Sequence, residues 1–588
     1  MVKILKRYVK PYAAMLLLCV VLLIVQAVSE LSLPNLMSEI VNDGIQGLST
    51  GGSGRLTFIL QKGAVMLLVT LLSACASITV ALLASRIAAG AARVMRRDVF
   101  AKVEGFSNEE FDRFSTASLI TRTTNDIQQI QMVLIMGIRM MCYAPILGFG
   151  GVFMAIRKST SMSWLIAVAV LVILGIIMVA YAAAMPKFKI LQSLVDRLNL
   201  VSRENLTGMM VIRAFGNEAH EEARFEKANR DLRDTNFFTQ SVMAVLMPAM
   251  MLTMNLLTVA IIWTGGQAIA RSSMQVGDMM AFIQYAMQII MAFLTISMIF
   301  IMVPRAAVAA GRIDEVMETK NEILDPAQPR HLPQPVRGEI AFHHVGFRYR
   351  GAQDDVLHDI DFTARPGQTT AFIGSTGSGK STLVNLIPRF YDVTEGSVTY
   401  DGVDLRALPQ AELRANIGYV PQKGLLFSGT IADNIRYGKE DAADAEVRRA
   451  IEVAQAAEFV DADAAGTARE ITQGGGNVSG GQKQRLSIAR ALVRRPAVYI
   501  FDDSFSALDF KTDAALRAAL KKYTGEATVL IVAQRVSTIM HAEQIVVLDE
   551  GRVAGIGTHD ELLRTCREYR EIAESQLSQS EMGESARK

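Results

Sequence analysis

Cysteine is scarce and scattered, with Cys19, Cys75, Cys142 and Cys566 the only four in 588 residues. There is no CxxC pair and no neighbouring histidine, which removes a thiolate metal site, and three of the four lie in apolar runs where a thiol behaves as a small hydrophobe. All four are read as structural. A surplus of charge is missing too: 60 Lys and Arg against 58 Asp and Glu leave +2, so nothing favours a nucleic-acid partner. No cleavable leader is expected either, because the first apolar run is too long and has no small-residue cleavage site; it is expected to stay in a membrane.

Apolar residues, by contrast, make up 51% of the chain and are gathered into runs before residue 305. A bilayer core needs about 20 apolar residues in a helix. Six stretches qualify, near 13–35, 57–83, 131–156, 163–185, 240–264 and 278–303. Long charged stretches with helical periodicity follow the second and fourth, and at about 1.5 Å per residue they carry those helices well past the bilayer. Lys and Arg gather in the N-terminal segment, in both long loops and after Arg305, which predicts a multi-pass protein of the cell membrane, surrounded by lipid, with both termini cytoplasmic. Arg157 and Lys158 are exceptions on the other side. The expected organisation is a transmembrane part over 1–305, a linker over 306–337 with four prolines between 325 and 335, an α/β domain over 338–575, and a disordered tail over 576–588.

Residues 374–381 (Gly374, Ser375, Thr376, Gly377, Ser378, Gly379, Lys380, Ser381) fit the phosphate-loop pattern GxxxxGK[ST], between an apolar strand at 370–373 and a helix opening at Thr382. Glycines let backbone amides approach phosphate, the helix N-terminus adds positive potential, Lys380 reaches the β and γ phosphates of ATP, and the Ser381 hydroxyl can ligate Mg2+. A second strand over 498–501 ends in Asp502, the expected magnesium partner.

Between them stand Ser479, Gly480, Gly481 and Gln482, preceded by Val478 and followed by a basic helical stretch. Here the chain resembles the ABC transporter nucleotide-binding domain, whose signature is SGGQ after a leucine or similar residue. The resemblance extends over the membrane half, with 107–130 and 203–235 similar to intracellular loops of the six-helix exporter type. It implies a membrane all-α part of six transmembrane helices joined to an α/β P-loop domain. It also implies assembly with a second half-transporter chain, whose ATP the signature of this chain would cover. By the same resemblance Tyr349, expected in a strand at 346–349, stacks on adenine; Gln422 reaches the magnesium; the loop 506–509 lets the two ATP sites sense each other; and the stretches 107–111 and 213–217 receive the motion.

Two positions depart from the family pattern. Asp503 stands where a glutamate usually polarises the attacking water, and Gln534 where a histidine usually contacts the γ phosphate. One methylene withdraws a carboxylate by about 1 Å, enough to cost on the order of a hundredfold in rate. The neutral amide of Gln534 cannot become an imidazolium. The pattern resembles the degenerate half of bacterial heterodimeric multidrug exporters. A working homodimeric ATPase, an importer of the same architecture, and an ATP-binding gate stay open as alternatives, whereas six apolar spans exclude a soluble ATPase of the DNA-repair kind. No peptidase segment is expected ahead of the first span. The cargo is expected to be an amphipathic small molecule, a drug or a lipid. Met247, Met250, Met251, Met254, Met287 and Met291 suit either a pliable pocket or lipid contact. Glu30, Asn255, Gln284 and Gln288 are expected to face a cavity or another helix, and Glu30 would favour a cationic cargo.

Overall fold

Runs rich in Leu, Val, Ile, Met and Ala can bury their backbone polar groups in lipid only by coiling into helices. The computed structural model, which describes residues 2–46 and 52–577, shows six such helices, Lys6–Ile45, Arg55–Glu104, Thr116–Lys158, Thr160–Thr207, Glu218–Ala270 and Val276–Ile296. Residues 578–588, most of the tail expected to be disordered, lie outside the described residues.

The chain forms two compact units. One comprises Met1–Glu104 and Thr116–Glu318, and its helices outlast any bilayer: Gly52–Glu104 and Glu218–Ala270 each run 53 residues, about 80 Å at the α-helical rise. The last helix, Val276–Glu318, continues beyond the boundary expected at 305, because Arg305 starts a further helical stretch (Ala306, Ala309, Ala310, Ile313 and Val316 buried) rather than a linker. Pro34, Pro145, Pro186, Pro248 and Pro304 all sit inside long helices, a placement membrane helices tolerate because neighbours take up the freed backbone groups. Phe282, Tyr285, Ile289 and Ile290 of the sixth span pack with Leu147 of the third and Ile166 and Ile173 of the fourth. Lys158 is neutralised by Asp278 at 2.7 Å, with Ser38 donating to the same carboxylate oxygen at 2.7 Å. That pairing explains a basic residue on the side where few were expected. Of the methionines, Met250 and Met254 join the core while Met247, Met251 and Met291 are exposed. Asn255 and Gln284 stand on open faces of the chain, whereas Glu30 and Gln288 are engaged by other helices.

The second unit comprises Gly105–Ser115 and Thr319–Lys588. A short helix, Asn108–Arg113, thus groups with residues more than 200 positions later in the chain. Its buried Glu110 accepts the backbone N–H of Ser107 at 2.6 Å and that of Glu322 at 2.9 Å. Asn321 donates to the Gly105 carbonyl, and Arg350 pairs with Glu109 at 3.4 Å.

Six strands make the main sheet of this unit, in the order Arg552–Gly557, Gln544–Asp549, Thr369–Gly374, Thr528–Val532, Val498–Asp502 and Ile417–Val420. All pairs are parallel except the first. The strand Val498–Asp502 is buried throughout and reads as a continuous apolar run ending in one acid, as expected for a parallel strand covered on both faces. An antiparallel sheet of Leu357–Ala364, Ile340–Phe347, Glu395–Tyr400 and Val403–Asp404 packs Phe342 and Phe362 against Phe372 of the main sheet. Helices Asp444–Val453 and Gly480–Leu492 pack on the other side.

Candidate functional site

Loops at the carboxyl ends of parallel strands converge on one edge of a sheet, the usual place for a ligand in an open α/β fold. Four neighbouring strands here deliver four loops. Thr369–Gly374 leads into the phosphate loop and the helix Lys380–Leu386; Thr528–Val532 leads to Gln534; Val498–Asp502 leads to Asp503; and Ile417–Val420 leads to Gln422. Register aligns them, with Val532 beside Asp502 on one flank and beside Phe372 on the other.

Together they line a cleft of about 540 Å³ that contains Gly374, Ser375, Thr376, Gly377, Gly379, Lys380, Ser381, Thr382, Gln422, Asp503 and Gln534. Gly377 and Gly379 adopt φ of 87° and 92°, left-handed conformations that suit glycine. Lys380 Nζ donates to the carbonyls of Gly374 at 2.9 Å and Ser375 at 2.7 Å and to Ser378 Oγ at 3.3 Å. Burial lowers its pKa, opposed by the charges of Asp503 and Asp502. Ser381 Oγ donates to Asp502 at 2.9 Å. Burial raises the pKa of Asp502, and the charge of Asp503 adds to the rise. The set offered by Ser381, Asp502 and Gln422 is hydroxyl, carboxylate and amide, the hard oxygen chemistry that suits Mg2+.

Asp503 occupies a left-handed backbone conformation, φ 46°, which aspartate tolerates better than longer side chains. Its Oδ2 accepts the side-chain amide of Gln534 at 2.6 Å and that of Gln422 at 3.2 Å. Burial raises its pKa, and hydrogen bonds from Gln422, Ser506 and Gln534 and the Lys380 charge pull it back.

Tyr349 lies two residues beyond the strand Ile340–Phe347 rather than in a strand at 346–349, because the chain turns at Arg350 and Gly351. Its hydroxyl pairs with Thr382 Oγ1 at 3.0 Å, which ties it to the first turn after the phosphate loop. The signature residues do not line the cleft of their own chain. Ser479 caps the helix Gly480–Leu492 by accepting the N–H of Gln482 at 3.3 Å, while the Gln482 side chain accepts the Ser479 N–H at 3.0 Å. Ser479 and Gly480 remain exposed, and a Cβ on Gly481 would come within 3.2 Å of the Ala507 carbonyl in the 506–509 loop.

One contributor went unread in the sequence. Gln576, at the end of the helix Arg567–Gln576, donates to the Gln534 carbonyl at 2.8 Å and accepts the Val536 N–H at 2.8 Å, fixing the backbone of the loop that carries Gln534. Nothing in a lone glutamine 42 residues downstream announces this.

Comparison with known proteins places the geometry. Residues 16–293 match the ABC transporter transmembrane region and residues 357–506 the ABC transporter family. An uncharacterized ABC transporter ATP-binding protein of Mycobacterium tuberculosis is 42% identical over 583 residues, 99% of each chain. The chain belongs to the ABC transporters. Among other relatives, the probable multidrug resistance ABC transporter ATP-binding/permease protein YheI of Bacillus subtilis is 33% identical, covering 83% of this chain and 84% of its own. A solved bacterial Atm1-family ABC exporter with ATP bound matches with a TM-score of 0.78 at 26% identity, over 98% of this chain and 99% of that one. This ABC transporter chain is therefore a multi-pass membrane protein with an exporter-type fold of six apolar helices and an α/β ATP-binding domain.

Proposed function

We propose that the chain is one half of a heterodimeric exporter of amphipathic small molecules and that its own ATP site holds nucleotide while hydrolysing it slowly. The observation that carries this is the occupation of one Asp503 carboxylate oxygen by two amide donors, Gln534 at 2.6 Å and Gln422 at 3.2 Å. A base that activates water must present an oxygen lone pair to it at hydrogen-bond distance. In this chain the carboxylate is a methylene shorter than the family's and is held back by amides.

In this reading Gly374 to Thr382 cradle the phosphates, Lys380 leaves its carbonyl partners for phosphate oxygen, and Tyr349 packs on the base. Ser381, Asp502 and Gln422 would hold Mg2+, which when bound offsets the phosphate charge. Ser479, Gly480, Gly481 and Gln482, with a capped and exposed helix N-terminus, would close on ATP held by the partner chain, whose own site carries the productive carboxylate. Closure of the two ATP-binding domains switches the membrane part from inward to outward access, with both termini on the cytoplasmic side. The relative YheI, a probable multidrug resistance transporter, supports a drug-like cargo.

The test is magnesium-dependent ATP hydrolysis in membranes by this chain alone, by the pair formed with a half-transporter that co-purifies with it, and by the pair with Asp503→Ala. The expected result is activity in the pair alone, little changed by Asp503→Ala and lost with the partner's carboxylate. Strong turnover by this chain alone that Asp503→Ala abolishes would make it a homodimer and overturn the proposal.

A further inference from the structure

A charged side chain within hydrocarbon is costly, and helices keep one only where it has something to bind. Glu30 stands in the helix Ala13–Glu39, among the most apolar residues of the first span. Its Oε1 accepts Gln26 Nε2 at 3.1 Å and Ser73 Oγ of the second span at 3.3 Å, and its Oε2 accepts the Tyr143 hydroxyl of the third. From the sixth span, Gln288 Nε2 approaches the Glu30 carbonyl at 3.4 Å. Three spans thus converge on one carboxylate, and a fourth meets the backbone of the same residue. All its side-chain partners are neutral, and Arg139, one turn before Tyr143, donates instead to Ser77 at 3.5 Å.

The surroundings are rich in acceptors that nothing satisfies. Gln26 is only 3% exposed, and its Oε1, on the same amide whose nitrogen meets Glu30, has no hydrogen-bond partner among the described residues. The Oε1 of Gln288 is likewise buried and unpartnered. A buried carbonyl left unpaired costs its full desolvation penalty. A negative charge, two orphaned carbonyl oxygens and an aromatic ring form a set that an anion would be repelled by and a neutral apolar molecule could not use. A protonated amine supplies both what the carboxylate lacks, a counter-charge, and what the carbonyls lack, N–H donors.

We infer that Glu30, Gln26, Gln288 and Tyr143 form an intramembrane site for the protonated amine of an amphipathic cargo. The inference rests on the reading of the chain as a transporter of such molecules and names their chemical class. It is independent of which chain hydrolyses ATP.

The experiment measures equilibrium binding without nucleotide to the full-length chain in the dimer it forms, in lipid nanodiscs. The probes are dansylcadaverine, an amphipathic primary amine, and its N-acetylated derivative, which is neutral. The amine is expected to bind at least tenfold more tightly than the neutral derivative. Glu30→Gln is expected to erase that gap while leaving binding of the neutral derivative unchanged, and Tyr143→Phe, which frees a lone pair of the carboxylate, to preserve or widen it. The same gap with and without Glu30, no gap in the wild type, or no saturable binding of the amine would each overturn the site and mark the cluster as a pin between helices. Should Glu30→Gln fail to assemble, carbodiimide labelling of Glu30 in the wild type reads the same point. The N,N-dimethylated form of the amine, which carries the same charge but cannot be acylated by an activated carboxyl, should slow labelling and the neutral derivative should not, and equal effects of the two would overturn the inference. A failure here leaves the hydrolysis experiment untouched, since that one uses no cargo.

Discussion

Gln534 donates its side-chain amide to Asp503 Oδ2 at 2.6 Å, so the two positions expected to depart from the ABC pattern are bonded to each other. They form one unit and are expected to respond as one. Restoring the family's residues with Asp503→Glu and Gln534→His together is expected to raise single-turnover hydrolysis at this site by on the order of tenfold to a hundredfold, the scale on which a misplaced group of about 1 Å acts. Each change alone is expected to give less than its share, because Glu at 503 must adopt φ 46° and would still face the amide of Gln534. Phosphate release from ATP preloaded in the purified pair, with the partner's carboxylate removed, checks this.

Gln576→Ala is expected to loosen the Gln534 loop by removing two hydrogen bonds, each worth about 1 kcal/mol. In the restored background described above, kcat should fall several-fold with the KM for ATP little changed. Gln576→Glu keeps the acceptor for the Val536 N–H but loses the donor to Gln534, so it should fall between. A uniform loss of folded protein without this split would assign Gln576 a purely structural part.

The carboxylate of Glu110 gathers two backbone N–H groups, and the one from Glu322 joins the short helix Asn108–Arg113 to the chain after the last membrane helix. Glu110→Ala should cost about 3–6 kcal/mol locally, since hydrogen bonds to a charged acceptor run to about 1.5–3 kcal/mol each. The expected outcome is basal ATP hydrolysis within about twofold of wild type and loss of its stimulation by cargo. Hydrolysis measured with and without an amphipathic amine gives the comparison.

Burial lowers the pKa of His559, which is 5% exposed and bonded to the Tyr569 hydroxyl at 2.7 Å, against a smaller upward pull from Asp560. A histidine held neutral by the fold takes up a proton more readily when unfolded. Its stabilising contribution is therefore present above the unfolded pKa of about 6.5 and is lost as pH falls. Melting temperature of the full chain should drop more steeply between pH 7.5 and 5.5 than that of His559→Gln, and parallel slopes would remove His559 from the account.

Much of the fold was legible because its signals are long or dense. Six apolar runs near 20 residues have one physical solution, and GxxxxGK[ST] between a strand and a helix leaves little freedom for Lys380 and Ser381. Signals that rest on one residue were harder. The sixth helix runs on to Glu318 because small apolar residues at 306, 309, 310, 313 and 316 keep a buried stripe, whereas the shift in composition near 305 reads as the start of a linker. Tyr349 reads as the end of a strand at 346–349, whereas Gly351, at φ 81°, turns the chain just after it. The grouping of residues 105–115 with the ATP-binding unit depends on hydrogen bonds between Glu110 and a residue 212 positions away, which no local pattern encodes. Glu30 stood out as a charge in an apolar run, but its partners Ser73, Tyr143 and Gln288 come from three other spans.

The hold of Gln576 on the Gln534 loop also has a consequence in time. A ribosome adds about 5 to 20 residues per second, so the 42 residues between the two positions take about 2–8 seconds to appear. For that interval the central strands of the sheet exist while the loop beside Asp503 has no clasp. The strand Gln544–Asp549, which flanks Thr369–Gly374, is made within the same interval, so the clasp on the Gln534 loop and the last parallel neighbour of the phosphate-loop strand both arrive after the residues they hold.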